Sequence, residues 1–124
     1  MDKSKYFSRT QVYTKQEDKV ALLDKQDPKK TVPLEPWLGL VFSLADGRHT
    51  IGDLITHLES RYGGQPPADL HKTIASVIDR LLTMEALQLS DEAILLPYYL
   101  ELPHEDQDVE KAREIMLQDG YINP

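Results

Sequence analysis

The chain has no cysteine among its 124 residues. That excludes disulfide frameworks, thiolate metal sites and cysteine nucleophiles, and it fits a reducing cytosol. Long apolar runs are missing as well. None approaches the roughly 20 residues that span a bilayer, and Met1 to Arg9 is polar, with no apolar signal region. These absences read as a cytoplasmic protein with no membrane partner. No Gly-x-Ser-x-Gly, dinucleotide fingerprint or phosphate loop occurs. The four histidines, His49, His57, His71 and His104, fall at no metal-ligand spacing. Asp53 and His57 stand one helical turn apart, far more often the spacing of a surface pair than of a catalytic dyad. No catalytic residue, metal or cofactor is expected, and no enzymatic activity. Function must then rest on a binding surface.

What the chain does have is charge, unevenly spread. The net charge is −7. Residues 1–30 carry eight Lys/Arg against five Asp/Glu, +3, and residues 31–124 carry six against sixteen, −10. Nucleic-acid binders usually show a basic face, because phosphate neutralisation dominates their affinity. The acidic main part therefore argues against a nucleic-acid partner and is easier to reconcile with a basic or apolar peptide. A chain of this length is one domain in size, and folding can bury roughly two thirds of its surface.

The organising stretch is Leu44 to Leu58. Asp46-Gly47 reads as a helix stop, since glycine takes the left-handed conformation that closes a last turn. Thr50 reads as the cap of the next helix, its hydroxyl placed to accept from the Asp53 amide. Ile51, Leu54, Ile55 and Leu58 follow at helical spacing. On the N-terminal side, residues 1–9 read as a flexible end. Short strands are expected at Gln11–Thr14, Lys19–Leu23 and Lys30–Leu34, forming a small antiparallel sheet. Pro33 lacks an amide hydrogen, which puts the third strand at an edge. Lys29 and Lys30 beside it suit edge protection.

Pro36 opens a central helix that runs to Asp46-Gly47. The second helix is expected from about Ile51 to Tyr62, stopped by Gly63-Gly64. The third, from Pro67 or Ala68 to Ala86, carries the stripe Leu70, Ile74, Val77, Leu81 and Met84. Beside it lies a second apolar line, Ala75, Ile78 and Leu82. Periodicity alone allows two readings of that line: a wide core face, or one wall of a peptide groove. Leu87–Leu89 and Ala93–Leu96 resemble the hairpin of a winged helix-turn-helix or an extended exit segment. A last helix is expected over about Asp106–Gln118, ended by Asp119-Gly120. The reading is thus α+β: a winged helix-turn-helix-like domain over residues 10–96, with a three-stranded sheet and three helices. Residues 97–124 form a C-terminal extension carrying one more helix.

This order resembles the PqqD-like family, the precursor-peptide recognition elements of ribosomal peptide maturation. The likeness is carried by Phe42-Ser43-Leu44-Ala45-Asp46-Gly47, by Thr50-Ile51-Gly52-Asp53-Leu54-Ile55, by Leu58 and Tyr62, and by Val77-Ile78-Asp79-Arg80-Leu81-Leu82 with Leu87. It covers about Lys19 to Ser90. Ala86 departs from a glycine common in the family, Pro33 interrupts the corresponding edge strand, and residues 97–124 have no obvious counterpart. The resemblance implies a binding protein that grips a precursor's leader segment and presents it to a modifying enzyme, often a radical-SAM one. The leader would add as a strand along Lys30, Thr31, Val32 and Leu34 and pack on Ala75, Ile78 and Leu82. The alternatives are a DNA-binding winged-helix regulator and an oligomerising adaptor whose tail, Tyr98 to Tyr121, docks on a neighbour. Oligomeric state stays open.

Overall fold

The computed structural model describes residues 2–25, 27, 29–63 and 65–122. Among the described residues, six strands form two antiparallel three-stranded sheets: β1 (Tyr6–Arg9), β2 (Tyr13–Gln16), β3 (Lys19–Leu23), β4 (Thr31–Pro33), β5 (Asp46–Thr50) and β6 (Leu87–Ser90). Five helices accompany them: α1 (Pro36–Ser43), α2 (Ile51–Ser60), α3 (Leu70–Thr83), α4 (Tyr98–Glu101) and α5 (Val109–Asp119), with a 3₁₀ turn at His104–Asp106. The fold is mixed α+β.

The expected meander is present as β2-β3-β4 with β3 central, its first strand displaced from Gln11–Thr14 to Tyr13–Gln16. The second sheet, ordered β5-β1-β6, is not in the sequence reading. Residues 6–9 are its middle strand, not a flexible end, and Phe7, Ser8 and Arg9 are all buried. Asp46-Gly47 opens β5 and does not close α1, which ends at Ser43. Gly47 still takes the left-handed backbone, φ 78°, but inside a bulge where β5 slips register against β1 between Tyr6 and Ser8. Leu87–Ser90 pairs with β1, and the expected hairpin partner, residues 93–96, forms no strand. The Ile94 amide instead donates to the Gly47 carbonyl at 2.9 Å, so the exit segment runs back past β5.

The helices follow local chemistry. Thr50 and Asp53 make the full capping box of α2: the Thr50 hydroxyl accepts from the Asp53 amide at 3.1 Å, and the Asp53 carboxylate accepts from the Thr50 amide at 3.0 Å. The helix stops at Ser60, two residues short of Tyr62. α3 starts at Leu70, later than Pro67 or Ala68, and ends at Thr83, before Ala86. α5 starts after the cap Asp108, whose carboxylate accepts from the amides of Glu110 and Lys111. It ends at Gly120, which is left-handed at φ 76° as its C-cap role requires. Gly64, Pro28 and the terminal residues Met1, Asn123 and Pro124 lie outside the described residues.

α1 lies between β3 and α3, and its Val41 and Phe42 are fully buried. The Phe42 ring meets Tyr13 edge-on at 5.2 Å. A second apolar cluster joins Val12 and Leu23 to Leu96, Tyr99, Leu100 and Ala112 of the C-terminal segment. That segment is therefore docked on its own domain. Among the described residues, no helix is long and apolar enough to cross a membrane.

Candidate functional site

β4 is short, pairs only with β3 and exposes all three of its residues. Two bonds fix which of its backbone groups face outward. The Leu34 amide donates to the Val20 carbonyl at 2.9 Å, and the Asp24 amide donates to the Lys30 carbonyl at 3.1 Å. In an antiparallel ladder the bonded pairs alternate. Lys30, Val32 and Leu34 therefore turn their backbone groups toward β3. Thr31 and Pro33, opposite Leu23 and Ala21, turn theirs away. The missing Pro33 amide thus faces outward, and pairing within the sheet is intact. An incoming strand would find one donor, the Thr31 N–H, and two acceptors, the carbonyls of Thr31 and Pro33. Among the described residues no hydrogen bond reaches these three groups.

Side chains directly opposite each other share a face. Val32 sits opposite Leu22, and Leu34 lies level with Val20, so both are on the face that carries Val20 and Leu22 into the core. Leu34 packs against that core. Val32 overhangs it and is 52% exposed. Lys30, on the same face, is exposed one position further out.

The helix line divides. Ile78 is only 2% exposed and belongs to the core, so it offers no wall to a ligand. Ala75 and Leu82 are partly buried, with Leu82 packed on the core from its rim. The principal neighbours of α3 are α1, α2 and β6. The link between α3 and the β4 end is an ion pair: Arg80 approaches Glu35, the residue between β4 and α1, at 3.2 Å. Both side chains are exposed, so the pair contributes little energy.

A cleft of about 450 Å³ lies elsewhere, lined by Phe7, Arg9, Tyr13, Asp46, His49 and Asp53 among others. The Asp46 carboxylate accepts from the Arg48 amide at 2.9 Å and meets the His49 ring at 2.9 Å. Burial pushes its pKa up, yet the Arg48 amide and the His49 ring hold it below its ordinary value. Among the described residues no nucleophile is hydrogen-bonded to this carboxylate–imidazole pair. The Ser43 hydroxyl, which also lines the cleft, donates to the Leu40 carbonyl at 2.8 Å. Asp53 is engaged by the Thr50 amide. Among the described residues no group of three His, Asp or Glu is placed to hold a metal ion.

The sequence reading passes over Arg9, whose guanidinium lies in the wall of this cleft. Burial lowers its pKa. Its hydrogen-bond partners are carbonyls: Leu100 and Ser43, both at 2.9 Å, and Glu101 at 3.1 Å. The signal was absent, because a lone arginine in a polar terminal stretch looks solvated.

Comparison of the chain with protein-family models, with curated proteins and with solved structures returns no match.

Proposed function

We propose that this protein captures an extended peptide along β4 and presents it to a modifying enzyme, as a leader-recognition protein of peptide natural-product biosynthesis. The observation that carries the reading is the open β4 margin, with unpaired outward groups on Thr31 and Pro33 beside a half-exposed Val32. Strand addition uses such a margin for affinity and neighbouring apolar pockets for specificity. The resemblance to PqqD-like proteins supplies the ligand class, a precursor leader.

Magnitudes show how binding would be divided. Three backbone bonds contribute about 1.5–4.5 kcal/mol net. A micromolar complex needs about 8 kcal/mol. Apolar burial on Val32 and on the Leu82 flank of α3 must supply the remainder. A role in reading DNA has less support. The exposed cations of α3, Lys72 and Arg80, stand with Asp69 and Asp79, and Arg80 is paired with Glu35.

The test uses a candidate leader peptide and two variants. Thr31→Pro removes the outward donor and no bond to β3. Leu82→Asp charges the flank without entering the core as deeply as Ile78 would. Both should keep the wild-type circular dichroism spectrum and weaken leader binding about tenfold or more by calorimetry. Wild-type affinity in both, with the leader bound, would move the site away from β4.

A further inference from the structure

The two sheets have four lateral margins, and the chain treats them differently. β5 is met by the returning segment, through the Ile94 amide and the Gly47 carbonyl. β2 is covered by the 3₁₀ turn, whose Glu105 carboxylate accepts from the Lys15 amide at 2.7 Å. β4 carries Pro33, with Lys29 and Lys30 next to it. Covers, prolines and lysines are the usual means by which sheets blunt an exposed margin. β6, Leu87-Gln88-Leu89-Ser90, has no proline and no lysine, and among the described residues no strand pairs with its outer side.

Its outward groups follow from register. The Thr10 amide donates to the Ala86 carbonyl at 3.0 Å, which makes Ser8–Gln88 and Tyr6–Ser90 the bonded pairs of β1 and β6. Leu87 and Leu89 therefore point both N–H groups and both carbonyls outward. Among the described residues no hydrogen bond reaches these four groups. The β4 margin presents three. Leu89 also leaves 37% of its surface exposed. The ends of the strand are acidic: Glu85 on one side, Asp91 and Glu92 on the other, all exposed. Lys5, paired with Asp91, is the one described cation that answers them.

We propose that the β6 margin docks an extended segment of a partner polypeptide, with apolar side chains at alternate positions and a basic residue at each end. Leu87 is buried in the core, so the apolar contact is made on Leu89 alone, and the basic ends match Glu85 and Glu92. A second copy of this chain fits less well. Two-fold antiparallel pairing centred on Gln88 would set Leu87 against Leu89 of the other copy. It would then place Asp91 against Glu85 at both ends, like charge facing like. The surface belongs to the other sheet, so it stands or falls separately from the β4 reading.

The experiment titrates full-length, ¹⁵N-labelled protein with the capped peptide Lys-Lys-Val-Thr-Val-Thr-Lys-Arg. A counterpart has glutamate at every basic position. The basic peptide should shift the amides of Leu87 and Leu89 and slow their hydrogen exchange, and the acidic one should leave them unchanged. Leu89→Pro removes one outward N–H and no bond to β1. It should weaken the basic peptide at least tenfold with an unchanged circular dichroism spectrum. The double exchange Glu85→Lys with Glu92→Lys should reverse the peptide preference, and it decides the matter if Leu89→Pro does not fold. Three results would overturn the proposal: no response at Leu87 and Leu89, an equal response to both peptides, or concentration-dependent shifts of these amides without peptide. The last would assign the margin to a second copy. Shifts at Thr31 and Val32 report the β4 margin and are read apart.

Discussion

The Arg9 Nε–H donates to the carbonyl of Leu100 at 2.9 Å, joining residues 91 positions apart. The same guanidinium reaches the last turn of α1 through Ser43 and the end of α4 through Glu101. A cation is favoured at helix C-termini, where carbonyls are unpaired. The Tyr13 ring, 5.0 Å away, adds a further favourable face. Arg9 is thus the fastening between the first strand and the C-terminal segment. Replacing it should be severe. Arg9→Met leaves one buried and two partly buried carbonyls without donors, and a loss of about 3 kcal/mol is expected from urea unfolding. Arg9→Lys should recover little of this, because an ammonium lacks the planar fork that reaches three carbonyls at once.

Gly47 is a second sensitive point. A Cβ there would stand 2.8 Å from both the Ile94 side chain and its carbonyl, on a backbone at φ 78°. Gly47→Ala combines that clash with left-handed strain, so a loss above about 1 kcal/mol is expected. Hydrogen exchange at the Ile94 amide should rise in the variant more than exchange within α2, because the exit segment is what must move.

The α2 capping box gives a milder expectation. Thr50→Ala removes one half of it and should cost about 1 kcal/mol. Asp53→Ala should cost a similar amount and also remove the favourable charge from the first turn. The double variant should lose less than the sum, because the two side chains form one reciprocal unit.

Alkaline pH should release the C-terminal segment. Burial, then the hydrogen bond donated to Asp119 at 3.1 Å, raises the Tyr99 pKa well above its ordinary 10. Burial also raises Tyr121, against the pull of the Val12 amide. The folded state holds both phenols neutral. Their contribution is therefore full below about pH 10 and is lost as pH rises beyond it. Urea midpoints should fall steeply above about pH 10, and less so in Tyr99→Phe.

The legible parts of this chain are those decided locally. The Thr50–Asp53 cap, the Gly120 stop and the strand Lys19–Leu23 all rest on neighbours in sequence. The second sheet does not. β1 is buried on both faces yet contains one strongly apolar side chain, Phe7, between Tyr6 and Ser8. It is a strand because β5 and β6 lie on either side of it and because Arg9 finds carbonyls from distant segments. Asp46-Gly47 misleads for a related reason: a left-handed glycine serves a helix stop and a strand bulge equally, and only β1 decides between them. On the candidate surface, the spacing of Ala75, Ile78 and Leu82 gives a face but not a depth, so Ile78 is core while its neighbours are not. The sequence places Pro33 in a strand without saying which way its nitrogen points. Two hydrogen bonds to β3 settle that.

The order of the strands in the chain has a consequence for synthesis on the ribosome. β2, β3 and β4 are consecutive, so that meander is complete once residue 33 has emerged. β1 comes before all of them, yet its two partners begin at residues 46 and 87. The first strand made is therefore among the last to be fully paired. During that interval it is a bare ribbon, available to chaperones and to other nascent chains.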